Sequence, residues 1–130
     1  MVQVTAIYAG LLALLFLWLS LRVVGARRTH KVSVGDGGER AVLKAMRAQA
    51  NCAEYAPIGI ILLALAELQG LPALAMHLLG AALLAGRVLH GWGYGRTPQV
   101  VHARVWGMYL TVGSIFTAAI LNLWCGLFWN

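Results

Sequence analysis

Four long apolar stretches, separated by short polar segments, dominate the hydrophobic pattern of this 130-residue chain. The pattern predicts α-helices over residues 4–24, 39–69, 72–94 and 100–127, and about 20 residues are enough for a helix to cross a bilayer. The segments between them are rich in glycine, proline and serine, as is typical of turns. The chain is therefore predicted to be a single domain, residues 1–130, with an all-α fold: a bundle of four transmembrane helices.

Composition favours a membrane protein over a soluble helix bundle. Hydrophobic residues make up 61% of the chain and charged residues 11%, whereas soluble domains average about 45–50% and about 25%. A soluble bundle would also carry polar stripes on the outer faces of its helices, and these helices lack them.

The first apolar stretch has two possible interpretations, a signal peptide or a retained transmembrane helix. A signal peptide begins with basic residues. Here Arg22, Arg27 and Arg28 follow the apolar stretch instead of preceding it. We therefore expect a retained helix.

The distribution of positive charge predicts the topology. All ten Lys and Arg residues lie in Arg22–Arg47 or in Arg87–Arg104, which gives the net charge of +6 to one side of the bundle. By the positive-inside rule, loops one and three face the cytoplasm, and loop two and both termini face the other side. The basic clusters suit anionic membrane lipids. Nucleic acid is not an expected partner, because no recognition module accompanies the charge.

The second helix carries a polar face next to a strongly apolar segment. Arg47, Asn51, Glu54 and Tyr55 are spaced i, i+4, i+7 and i+8, so they share one side of the helix. Such groups are costly at membrane depth unless something satisfies them. Two explanations are open for how these groups are satisfied. One is an ion pair between Arg47 and Glu54 within the helix, and the other is a polar ligand held between helices.

Helices three and four bring further polar residues to the same depth. Arg87, His90 and Tyr94 are spaced i, i+3 and i+7, and Arg104 lies near the start of helix four. Taken singly, Arg87 could reach the headgroups, His90 could fill a helix contact and Tyr94 could lie in the interfacial belt. Together with the face on helix two, they predict a site for a multiply charged small molecule. No metal-binding signature is present.

These motifs resemble those of one family, the membrane-associated proteins in eicosanoid and glutathione metabolism. The segment 47–57, RAQANCAEYAP, is similar to the helix-two signature of its leukotriene C synthase branch, and microsomal glutathione transferases are also close in motif. Residues 25–28, 87–94 and 104–108 resemble the other family motifs, in the expected order. The resemblance covers nearly the whole chain.

The resemblance implies a homotrimer that binds glutathione, as co-substrate, between neighbouring subunits near the cytoplasmic side. Glu54 suits the ammonium group of the tripeptide and the arginines suit its carboxylates. His90 is counted with the binding residues, although the leukotriene C synthase branch has a tyrosine there. The residues that would hold the γ-glutamyl end and body are Arg47, Asn51, Glu54, Tyr55, Arg87 and Tyr94.

The remaining site residues are also implied by the resemblance. Arg27 and Gln49 would reach the glycyl carboxylate, and Gln49 lies about 200° round the helix from Arg47, as expected if it serves another subunit's site. Arg104 would lie by the thiol as the catalytic residue, because a guanidinium stabilises the thiolate nucleophile.

The expected function is that of a glutathione transferase. Its second substrate would be a lipophilic electrophile, and it could also act as a peroxidase on lipid hydroperoxides. The chain stops soon after helix four, so we expect a compact bacterial-type homologue in the inner membrane. The alternative is a non-enzymatic lipid-binding or scaffold member of the same family. A transporter is disfavoured, because no polar path continues past Ala56.

Overall fold

Four long helices make up almost all of the protein. A computed structural model describes residues 1–128, with α1 at Gln3–His30, α2 at Arg40–Leu68, α3 at Ala73–Gly95 and α4 at Val101–Phe128. All four are long and apolar enough to cross a membrane. The chain is an all-α membrane protein with four spans, as the sequence predicts.

Most helix boundaries lie within one residue of those predicted, but α1 continues to His30 instead of ending near residue 24. The sequence prediction was wrong here because it took Gly25 as the start of a loop. Arginine and alanine are good helix formers, and they carry the helix past its apolar part. The helix ends where Lys31 adopts a left-handed conformation, with φ of 56°. Arg27, Arg28 and His30 lie in the last turn, where cations interact favourably with the helix dipole.

The arrangement of the bundle places α1 and α4 on opposite flanks. Each of them packs against α2 and α3, and no contact joins α1 to α4 within the described residues. The interior is filled by apolar side chains such as Leu12, Leu63, Met76 and Leu83. Many large apolar residues on the outer faces remain exposed, which suits contact with lipid tails.

Close contact between α3 and α4 depends on two glycines. A Cβ atom added at Gly86 would lie 2.7 Å from the carbonyl oxygen of Gly107, and one added at Gly107 would lie 2.5 Å from the backbone nitrogen of His90. Small residues of this kind let the backbones of membrane helices approach each other. The two glycines therefore set the distance between the polar residues of α3 and those of α4.

The two ends of the bundle differ, and we name them for their charge. The basic end carries the α1–α2 and α3–α4 connections, and the far end carries the α2–α3 connection and the start of α1. At the far end, the Glu67 carboxylate accepts hydrogen bonds from the backbone N–H groups of Val4 and Thr5, both 2.7 Å. Asn122 accepts a bond of 2.7 Å from Gln69 and donates one to the carbonyl of Leu62. These bonds join α1 to α2 and α2 to α4.

Candidate binding site at the basic end

A buried arginine joins three helices at the basic end. Arg87 on α3 is only 1% exposed. Its Nε donates to the hydroxyl oxygen of Thr111 on α4 at 2.9 Å, and its Nη1 donates to the side-chain oxygen of Asn51 on α2 at 2.6 Å. The same guanidinium lies 3.4 Å from the sulfur of Met108 and 5.3 Å from the ring centre of Tyr55. Arg87 therefore holds two residues of the polar face on α2, Asn51 and Tyr55.

Within the part of the chain that the structure describes, the positive charge of Arg87 has no carboxylate beside it. The ion pairs within residues 1–128 join His30 to Glu39 and Arg47 to Glu54. Arg87 is instead surrounded by neutral acceptors and an aromatic ring. It also does not extend to the headgroups, which was one of the explanations open from the sequence. A buried cation without a counter-ion favours an anionic ligand nearby.

Thr111 is a site residue that the sequence reasoning missed. Its hydroxyl accepts the bond from Arg87 and donates to the carbonyl of Gly107 at 2.9 Å. A signal was present, because a hydroxyl in the middle of an apolar transmembrane helix often marks a bond to another helix. Its partner, however, is 24 residues away on a different helix, and the spacing alone does not identify it.

Arg104 borders a second feature, a cavity of about 380 Å³ between α3 and α4, here called the Arg104 cavity. Its guanidinium carbon lies 5.5 Å from the ring centre of Tyr94, and its Nη1 donates to the side-chain oxygen of Gln99 at 3.1 Å. His90 is 6% exposed and stacks on Tyr94, with ring centres 5.6 Å apart. A cation and an aromatic stack thus adjoin an open volume. The cavity is lined by His90, Arg104, Val105, Met108, Tyr109 and Val112.

A third feature lies on the opposite flank, between α1 and α2. This cavity of about 350 Å³, the Arg27 cavity, brings together three predicted site residues, Arg27, Arg47 and Gln49. Arg47 and Gln49 both border it despite their separation around the helix. Arg27 lies 3.7 Å from the sulfur of Met46 through Nη2, while its Nε is buried with no hydrogen-bond partner in the described part of the chain. This cavity presents two guanidinium groups and an amide.

Glu54 connects the polar face of α2 with an apolar groove. Its carboxylate lies 3.8 Å from Nη1 of Arg47, so the pairing within α2 that the sequence allowed is present, and both side chains are about half exposed. Glu54 and Tyr55 also open a groove of about 440 Å³ between α2 and α4, the α2–α4 groove. Its other lining residues are Ile58, Val112, Ile115, Phe116 and Ala119.

One chain therefore divides the predicted site residues between two surfaces. Arg27 and Gln49 lie on the α1–α2 flank. Arg47 borders that flank and also reaches Glu54. The residues gathered between α2, α3 and α4 are Asn51, Glu54, Tyr55, Arg87, His90, Tyr94 and Arg104.

Fold and site together define a class: a four-span membrane protein with a cationic site at one end of its bundle. The family model of the MAPEG family matches residues 5–124. The chain belongs to the MAPEG family, the membrane-associated proteins in eicosanoid and glutathione metabolism, and the resemblance seen in its motifs is confirmed.

Two kinds of relative are similar to the chain over most of its length. Inner membrane protein YecN from Escherichia coli is 36% identical over 122 residues, which cover 94% of this chain and 92% of that protein. Leukotriene C4 synthase from Cavia porcellus is 32% identical over 114 residues, covering 85% of this chain and 73% of the synthase. The first name states a location and the second an activity.

Proposed function

We propose that this protein is a membrane-bound glutathione transferase. The observation that carries the proposal is a pair of cations without a carboxylate partner in residues 1–128: Arg87, which is bonded to Asn51, and Arg104, which borders the Arg104 cavity. Glutathione carries two carboxylates, one ammonium group and a thiol. Arginines match its carboxylates, and Glu54 matches its ammonium group. Membership of a family that includes a leukotriene C4 synthase supports the same substrate.

The geometry divides the work among these residues. Arg47, Asn51, Glu54, Tyr55 and Tyr94 would contact the tripeptide, with Arg87 behind them. Because Arg87 is buried and its hydrogen bonds are used within the chain, its part is to orient Asn51 and Tyr55.

Arg104 is the residue that would act on the thiol. It stands at the edge of an open cavity near the start of α4, and a nearby guanidinium favours the thiolate, which is the nucleophile. The thiolate sulfur would attack an electrophilic carbon and form a C–S bond, while the electron pair of the breaking bond leaves with the displaced group or, for an epoxide, stays on the opened oxygen.

The second substrate would enter from the lipid along the α2–α4 groove. That groove is apolar apart from Glu54 and Tyr55, and Val112 lines both it and the Arg104 cavity. A lipophilic electrophile suits such a route. A lipid hydroperoxide would suit it too: two glutathione molecules would reduce it to the alcohol and water and become the disulfide.

A homotrimer would complete the site. The Arg27 and Arg104 cavities lie on opposite flanks of one chain. In a closed ring of identical chains, one flank of each copy meets the other flank of the next. Arg27 and Gln49 of one copy would then adjoin the Arg104 cavity of its neighbour, with three copies as the resemblance implies.

A glutathione titration of the detergent-purified protein tests the transferase proposal, with the ultraviolet absorbance of the thiolate as the readout. We expect a saturable thiolate signal. Arg104→Ala should abolish it and leave glutathione affinity within a few-fold, whereas Arg96→Ala, which removes an exposed cation of the same end, should change neither. Equal losses of binding and thiolate in Arg104→Ala would contradict the role given to Arg104. Binding without any thiolate in the unmodified protein would favour a non-enzymatic lipid-binding member.

Mixed assemblies test the shared site. Arg27→Ala/Gln49→Ala chains and Arg104→Ala chains should each be inactive alone. Co-expressed, they should recover part of the thiolate signal, because some interfaces then join two intact flanks. No recovery, with mixed oligomers shown by mass spectrometry, would place the whole site within one chain.

The positive charge further indicates that the basic end faces the cytoplasm, and the name of the Escherichia coli relative supports an inner-membrane location. A maleimide reagent that cannot cross the membrane should label an added cysteine at Ser33 only after the cells are opened. Labelling of intact cells would reverse the topology.

A further inference from the structure

Another basic cavity lies at the end of α1, and of its lining residues only Arg27 is also proposed to hold glutathione. It has a volume of about 370 Å³ and is lined by Val24, Arg27, Arg28, Lys31, Val32 and Ser33. The left-handed turn at Lys31 folds the chain back over the helix end, where the N–H of Val32 donates to the carbonyl of Arg27 at 2.9 Å. Three cations are thereby gathered round one small volume with no acidic residue in its lining.

The acidic residues of the neighbouring loop are engaged elsewhere. Asp36 accepts a hydrogen bond of 3.0 Å from the N–H of Gly38, and Glu39 pairs with His30 at 3.3 Å. Neither Arg28 nor Lys31 takes part in an ion pair within residues 1–128. The positive charge of this cavity is thus left for an anion from outside the chain.

The basic cavity continues an apolar stripe on the outer face of α1. Leu17, Leu21, Val24 and Arg28 follow one another at i, i+4, i+7 and i+11, which keeps them on one side of the helix. Lys31, just beyond the helix end, lines the same cavity as Val24 and Arg28. The three apolar members are exposed, at 57%, 68% and 43%. From Leu17 to Arg28 the helix rises about 16 Å, close to half of the roughly 30 Å hydrocarbon core.

We propose that this stripe binds an anionic phospholipid, with its phosphate against Arg28 and Lys31 and an acyl chain along Leu17, Leu21 and Val24. A free phosphate would use the cations alone and would leave the apolar stripe unused. The two residues assigned to the phosphate, Arg28 and Lys31, line neither the Arg27 cavity nor the Arg104 cavity, although Arg27 itself borders both the lipid site and the Arg27 cavity. The lipid site therefore does not depend on the proposed transferase activity.

Native mass spectrometry of the detergent-solubilised protein tests the proposal, with dioleoylphosphatidylglycerol and dioleoylphosphatidylcholine as probes. Phosphatidylglycerol should form a saturable adduct that phosphatidylcholine does not. Arg28→Gln/Lys31→Gln should weaken that adduct about twenty-five-fold, since each basic residue near a membrane surface contributes roughly fivefold. The matched control, Arg40→Gln/Arg96→Gln, removes the same charge from exposed positions outside the cavity and should change the adduct less than threefold.

Two further arms keep the proposal falsifiable. Arg28→Lys/Lys31→Arg keeps both charges and should retain the adduct, and the circular dichroism of every variant should match that of the unmodified protein. Inorganic phosphate at millimolar concentration should not displace the lipid. Equal losses in the two glutamine variants, equal binding of the two lipids, or displacement by phosphate alone would each overturn the assignment.

Discussion

The two ends of the bundle differ in how the polar side chains of their membrane helices find hydrogen-bond partners. At the far end, Glu67 accepts backbone N–H groups at the start of α1 and Asn122 bonds to Gln69, so the polar groups satisfy one another. At the basic end, Arg87 is held by neutral groups and Arg104 stands beside a cavity. The positive charge there is not neutralised by a carboxylate beside Arg87 or Arg104 within residues 1–128, and a cavity lies next to Arg104.

This contrast shows what distinguishes a binding site from a structural bond in a membrane helix. Ionisable residues in such helices are rare and are functional candidates by default, yet Glu67 is explained by capping alone. The basic end differs because Arg87 and Arg104 have no carboxylate partner within residues 1–128 and Arg104 borders a cavity. Variants at the far end should therefore change stability alone, and variants at the basic end should change glutathione binding as well.

The largest effect is expected for Arg87→Ala. It removes a buried side chain and leaves Asn51 without its partner, so we expect the free energy of unfolding to fall by about 2–5 kcal/mol. Glutathione affinity should fall with it, because Asn51 and Tyr55 lose their orientation. Thermal denaturation in detergent and a glutathione titration measure the two effects.

Arg87→Lys provides the comparison for that variant. It keeps the charge but not the planar group that reaches Asn51 and Thr111 together. Full affinity in Arg87→Lys would show that charge alone matters and that the orienting role is wrong.

Gly107→Ala should have the next largest effect. The added methyl group would lie 2.5 Å from the backbone of His90, so α4 must move away from α3 at a cost of about 1–3 kcal/mol. Arg104 and Thr111 would shift with the helix, and the thiolate signal should weaken. Gly113→Ala, in the same helix with no atom within 4 Å of the added group, should have no such effect; similar losses in both would show that close packing at Gly107 is not the cause.

Glu67→Ala tests the contrast between the two ends with a variant at the far end. It removes the acceptor for the N–H groups of Val4 and Thr5 and should lower the free energy of unfolding by about 0.5–2 kcal/mol, as for the loss of a helix cap. Glutathione affinity should be unchanged in the folded protein. A clear loss of affinity would mean that the two ends are coupled.

The smallest change in stability is expected for Arg47→Gln. Its pair with Glu54 is about half exposed, and such pairs contribute at most about 1 kcal/mol. Glutathione affinity should nevertheless fall about tenfold, because a carboxylate-binding guanidinium is lost. Unchanged affinity, measured in the same titration, would remove Arg47 from the site.

The number of helices and most of their limits follow from hydrophobic pattern and turn residues, since membrane spans leave long uninterrupted apolar runs. The end of α1 does not, because Gly25 carries turn propensity while Ala26–His30 continue the helix. The polar face of α2 is visible from its spacing. Residues from different helices could be assigned to the same depth, but not to particular contacts.

The bonds of Arg87 illustrate that limit. Its position next to α2 could be predicted from the sequence. Its bond to Thr111 could not, because that bond depends on the distance between α3 and α4, which Gly86 and Gly107 set. Arg27 and Gln49 illustrate a second limit of prediction from sequence. Their cavity lies on the opposite flank from Arg104, and the pattern of one chain says nothing about its neighbours.

Burial of Arg87 also constrains the order in which the helices can insert and pack in the membrane. Chains emerge from the ribosome N-terminus first, so Asn51 is already available when α3 enters the bilayer, while Thr111 and Met108 have yet to be made. Until α4 arrives, Arg87 has only part of its final surroundings, and a nascent chain ending after α3 would carry a cation that lipid cannot solvate. We therefore expect α3 to reach its final position in the bilayer only after α4 has been inserted.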